Sequence, residues 1–90
     1  MSLRSGKSLP KDFSSGDPDE EHLRRIVSAL KKERLRNGLT LRKLSAEMGV
    51  DFTHVSRSER GLSQPGLVIL MRWCRALNLE IESLIRDTRA

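Results

Sequence analysis

The sequence predicts an all-α domain, and three observations carry that prediction. Apolar residues recur at helical spacing: Leu23, Ile26, Val27 and Leu30 fall at i, i+3, i+4 and i+7 and so share one helix face. Capping residues and glycines punctuate the apolar runs, with Asp17, Thr40 and Asp51 placed to open helices and Gly38, Gly49 and Gly61 placed to follow them. Nowhere do apolar and polar residues alternate with the period of two that a half-buried strand requires. Ninety residues are enough for one modest core.

Residues 1–16, MSLRSGKSLPKDFSSG, show neither period and read as a flexible N-terminal tail. Its Arg4, Lys7 and Lys11 would suit a basic arm on a phosphate backbone, although an inert start is the simpler reading. The folded unit is expected over 17–87, leaving 88–90 as a short C-terminal end. Helix one is expected over 18–36. Asp17 is its N-cap, Pro18 takes the first helical position, Glu20 stands three residues after the cap, and Asp19 and Glu21 complement the dipole. Arg24, Arg25, Lys31 and Lys32 lie off its apolar stripe, and Asn37-Gly38 stops it.

The next two helices are short and nearly contiguous. Thr40 caps one over 41–48, in which Leu44 and Met48 form the buried side and Ser45 is small enough for close packing. Gly49 tolerates the left-handed geometry that ends a helix in one residue, and Asp51 then caps a helix over 52–59. Val55 anchors that helix inward, which turns Phe52, Thr53, Ser56 and Arg57 outward. The segment Leu62-Ser63-Gln64-Pro65-Gly66 is a loop by composition. A fourth helix over 67–77 carries Leu67, Leu70, Met71, Cys74 and Leu77 as a stripe flanked by Ile69 and Trp73, and Asn78 ends it. Ile81, Leu84 and Ile85 define a fifth over 81–87. The expected core is Leu23, Ile26, Val27, Leu30, Leu44, Met48, Val55, Leu67, Leu70, Met71, Cys74, Leu77, Leu84 and Ile85.

Composition narrows the function classes. The chain carries 17 Lys+Arg against 12 Asp+Glu, a net charge of +5, with a pI near 10.1, which favours a polyanionic partner. Residues 24–60 hold ten basic residues against four acidic ones, so the excess is centred on the two short helices. Three aromatic residues, Phe13, Phe52 and Trp73, are too few for a base-stacking platform, so a duplex is the favoured nucleic acid. The single Cys74 forms no internal disulfide or metal cluster and fits a reducing, cytoplasmic setting. No apolar run approaches the roughly 20 residues that span a bilayer, and Met1 to Pro10 lacks the apolar centre of a signal peptide. His22 reads as a solvated first-turn residue and His54 as a surface residue. Neither has a nucleophile or metal-ligand spacing around it, and the six glycines are dispersed rather than gathered in a phosphate loop. The expectation is a non-enzyme with no cofactor, no metal and no small-molecule ligand.

One continuous pattern is more specific than these bounds. Arg34, Gly38-Leu39-Thr40, Leu44-Ser45, Gly49-Val50, Asp51 and Ser56-Arg57-Ser58-Glu59-Arg60-Gly61 resemble the Cro/C1-type (XRE) helix-turn-helix family of phage repressors and bacterial regulators, and the match continues through Pro65 and Leu77 to about Ile85. The resemblance implies a five-helix, lambda-repressor-like DNA-binding domain with its helix-turn-helix at the second and third helices. It further implies a recognition helix over 52–59 in the major groove of double-stranded DNA, with Asp51, Phe52, Thr53, Ser56 and Arg57 toward the bases. Arg57 suits guanine O6 and N7, Thr53 a base or a phosphate, and Phe52 a thymine methyl, while Asp51 spends its carboxylate on capping. Thr40, Arg42, Lys43 and Arg60, with backbone at the start of the second helix, are the phosphate contacts.

The same resemblance implies an ion pair between Arg34 and Glu59 and a homodimer on a palindromic operator with half-sites about 34 Å apart. Surplus apolar surface at Trp73, Val68 and Ile69 is a candidate self-association face. Two residues depart from the family pattern. Leu41 stands where a phosphate-binding Gln is common, and Ser58 where a core Ile or Leu is usual, which weakens packing unless Trp73 or Leu77 fills the space. The expected function is a sequence-specific regulator of transcription. The alternative is a protein-interaction module on the same fold, antitoxin-like or coactivator-like.

Overall fold

The computed structural model describes residues 17–89, and five helices account for most of them: α1 (Pro18–Arg36), α2 (Leu41–Met48), α3 (Phe52–Glu59), α4 (Leu67–Ala76) and α5 (Ile81–Asp87). No strand occurs among the described residues. The tail 1–16, with Arg4, Lys7 and Lys11, lies outside them. Four helices have the expected bounds. The fourth stops one residue early because Leu77 serves as its C-cap, with its N–H still bonded to the Trp73 and Cys74 carbonyls, and Asn78 follows at φ 61°. Asn is among the few residues that tolerate this left-handed conformation.

The expected caps form as hydrogen bonds. Asp17 Oδ1 accepts from the N–H groups of Asp19 at 2.8 Å and Glu20 at 3.4 Å, Thr40 Oγ1 from Lys43 at 3.1 Å, and Asp51 Oδ2 from Thr53 at 2.9 Å. Each bond satisfies a first-turn donor with no intrahelical acceptor and contributes about 1 kcal/mol. The exits of α2 and α3 are also matched. Gly49 (φ 70°) and Gly61 (φ 79°) carry the left-handed residue, after which Val50 N–H donates to Ser45 O at 3.1 Å and Leu62 N–H to Arg57 O at 2.8 Å.

Packing follows from which stripe each helix turns inward. Helix α2 packs on α3 and α4, α1 packs on α3 and α5, and α4 packs on α5. The buried core is Ile26, Val27 and Leu30 of α1, Leu44 and Met48 of α2, Val55 of α3, Leu70, Trp73 and Cys74 of α4, and Leu77. Full burial of one such aliphatic side chain stabilises by about 1.5–3 kcal/mol. Burial also pushes the Cys74 thiol above its ordinary pKa, so it stays protonated and behaves as a small apolar group.

Several expectations are corrected here. Leu67 is 63% exposed and Met71 is exposed, whereas Trp73 is completely buried and so plays no part in a self-association face. The cause is that α4, LVILMRWCRA, is apolar on more than one side, so the period alone does not choose its inner face. Leu70, Trp73, Cys74 and Leu77, themselves at i, i+3, i+4 and i+7, take the core and leave Leu67, Val68 and Met71 outside. Leu23, Leu84 and Ile85 are half-buried rather than buried, and α5 has no fully buried residue at all.

His22 is likewise not a solvated residue. It is half-buried, with Nε2 at 3.0 Å from both Ile85 O and Thr88 Oγ1. A carbonyl oxygen can only accept, so Nε2 carries the proton and donates. Arg25 Nε adds a bond to Thr88 O at 2.9 Å, so α1 closes the C-terminal end of α5.

Candidate nucleic-acid interface

Helices α2 and α3 are joined by only three residues, Gly49-Val50-Asp51, and are held from two sides. On one side Arg72 of α4 places Nη1 at 3.4 Å from Met48 O and 3.5 Å from Gly49 O, a cation against the carbonyl end of α2. On the other, Arg34 of α1 spreads its guanidinium over two elements. Nε donates to Glu59 Oε2 and Nη2 to Glu59 Oε1, both at 2.9 Å, while Nη1 donates to Leu39 O at 2.6 Å. The two side chains are only 9% and 4% exposed. A planar fork paired with a carboxylate fixes angle as well as distance, so the end of α3 and the entry to α2 are both referenced to α1.

The residues expected to meet DNA fall into two groups. Thr40, Arg42 and Lys43 are exposed at the N-terminal end of α2, where the backbone N–H groups of Leu41 and Arg42 have no intrahelical acceptor. On α3, Thr53 and Arg57 are exposed one turn apart on the same side, with Ser56 half-buried beside them. Asp51 is exposed, and one carboxylate oxygen is committed to the cap. Phe52 does not stand freely outward. It is half-buried, and the Arg42 guanidinium carbon lies 4.3 Å from the centroid of its ring, a contact that joins the two groups. Arg60 is exposed but sits after α3, about 12 Å along the helix axis from Phe52, so it borders the site at the opposite end.

Residues 30–84, more than half of the chain, match a family model described as helix-turn-helix. The chain belongs to the Cro/C1-type (XRE) helix-turn-helix family. An uncharacterized HTH-type transcriptional regulator, y4dL, of Sinorhizobium fredii (strain NBRC 101917 / NGR234) is 41% identical over 56 residues, which make up 62% of this chain and 29% of that protein. The chain therefore covers less than a third of that relative's length. Among the described residues, no helix of this helix-turn-helix unit is long and apolar enough to cross a membrane, and no three His, Cys, Asp or Glu side chains gather as a metal site.

Two features of this region depend on how separate segments meet. Ser58 is buried, with Oγ 3.5 Å from Ser63 Oγ, and borders an open groove of about 540 Å³ whose apolar lining includes Leu23, Val27, Leu62 and Pro65. The second is Arg72, whose contacts with the α2 carbonyls join residues more than twenty apart. No local pattern encodes them. For Phe52 a signal was present in an Arg near the start of α2 and an aromatic at the start of α3, but their meeting depends on the angle between the two helices.

Proposed function

We propose that this chain is the DNA-binding domain of a cytoplasmic transcription regulator that acts by occupying a duplex operator, without catalysis or cofactor. One observation carries the reading: exposed Arg42, Lys43, Thr53 and Arg57 share the α2–α3 unit, and that unit is fixed to the core by the buried Arg34–Glu59 pair. Helix α3 enters the major groove, with Thr53, Ser56 and Arg57 toward base edges and Asp51 and Phe52 at its leading end. Thr40, Arg42, Lys43 and the first-turn backbone of α2 take phosphates at one border of the groove, and Arg60 takes one at the other. Membership of the helix-turn-helix family and the name of the S. fredii relative support the same class.

The domain works as a homodimer on a palindromic site. Leu67, Val68 and Met71 expose a continuous apolar patch on α4, which a second copy would cover. The same patch is what favours the second reading, a module that docks on a different protein. Selection of bound sites from a random duplex pool, followed by affinity measurements across a salt series, separates the two. The expected result is a palindromic consensus, bound with an affinity that falls steeply as salt rises. Absence of any enriched sequence, together with a flat salt response, removes the DNA reading and leaves protein docking.

A further inference from the structure

Phe52 occupies the first position of α3, where an apolar side chain facing a groove would naturally meet a thymine methyl. Its ring is already engaged. The Arg42 guanidinium lies over it at 4.3 Å, close enough for the ring's negative face to hold the cation. The ring is half-buried, and with the guanidinium also over it only part of its surface is left for a base. Stacking has the opposite effect on Arg42. The five N–H donors lie in the guanidinium plane and point from its rim, so a covered face leaves them directed outward. Arg42 is exposed, and no carboxylate pairs with it among the described residues. A long cation held this way has less rotamer freedom to lose when it meets an anion.

We propose that Phe52 is a positioning residue for Arg42 and not a reader of sequence. Its ring clamps the guanidinium across the α2–α3 turn and presents two N–H donors to one backbone phosphate. This rests on the DNA-binding reading above, and it changes what loss of the ring does. A thymine reader serves one sequence, whereas a platform under a phosphate-binding arginine serves every duplex alike.

The test measures affinities of the full chain and of its F52L, F52W, R42A and F52L/R42A variants for the selected duplex and for an unrelated duplex of equal length. Leu keeps an apolar side chain able to touch a methyl but has no π face, whereas Trp keeps the face. The expected result is that F52L weakens both duplexes by the same factor, about two- to fivefold, that F52W restores wild-type affinity, and that F52L costs nothing further in R42A. Salt dependence should be shallower by about one unit of slope in R42A and unchanged in F52L, which keeps the charge. In the free protein, NMR should show the Arg42 side-chain protons losing their ring-current shift in F52L.

A loss confined to the selected duplex, with preference flattened at one base, overturns the proposal, as does a full F52L effect in the R42A background. Wild-type chain that binds neither duplex removes the DNA reading itself, and the proposal with it. Wild-type binding that F52L leaves untouched removes only the proposal.

Discussion

Helix α1 is fastened near both ends, and the two fastenings are built differently. Toward its C-terminal end, the buried Arg34 gives three N–H donors to Glu59 and Leu39. Near its N-terminal end, the half-buried His22 and Arg25 bond the terminus of α5. Both fastenings include bonds between residues far apart in sequence, but only the first sets full charges against each other away from water. A buried pair behaves as all or none, because a lone charge left in its place is costly. Hydrogen bonds at a half-exposed helix end can open one at a time, at about 0.5–1.5 kcal/mol each. The helix pair proposed to meet DNA is thus mounted on the stiffer joint, while α5, which has no fully buried residue, hangs on the softer one.

The largest expected effect breaks the stiff joint. Glu59→Ala should destabilise the domain by about 3–5 kcal/mol by stranding Arg34, whereas Glu47→Ala, on the exposed side of α2, should cost little. Thermal melts of the two variants decide this, and equal shifts would mean the pair is no firmer than a surface contact. The soft joint should fail locally. In His22→Ala/Arg25→Ala, hydrogen exchange of the amides at the end of α5 should speed up by about 1–3 kcal/mol of lost protection while α2 and α3 remain protected. Uniform loss across the chain would show that the two joints open together. The smallest effect should be a gain. Ser58→Ile, next to Glu59 and beside the groove lined by Leu23 and Val27, should raise stability by about 0.5–2 kcal/mol in chemical denaturation, and a loss would mean the site is already fully packed.

The bounds of α1, α2 and α3 were legible because their signals are local: Asp17-Pro18, Thr40, Gly49 and Asp51 act within a few residues of where they stand. The inner face of α4 was not, since a helix with Leu67, Leu70, Met71 and Trp73 on different sides needs its neighbours to choose which go in. The same limit applies to the candidate site. Exposure of Thr53 and Arg57 follows from the inward position of Val55 by helical geometry alone. The contact of Arg42 with Phe52, and the latch of His22 on Thr88, require knowledge of how separate helices meet.

Trp73 has a practical consequence. It is the only tryptophan in a chain without tyrosine, it is wholly shielded, and its indole N–H has no acceptor among the described residues. Its near-ultraviolet emission therefore comes from one apolar, unbonded site, and it should lie at the blue end of the tryptophan range while the core is closed. Water reaching that ring shifts the emission to the red, so the molecule carries its own optical gauge of core integrity, packed with Leu44, Met48 and Val55 and usable during titration with duplex.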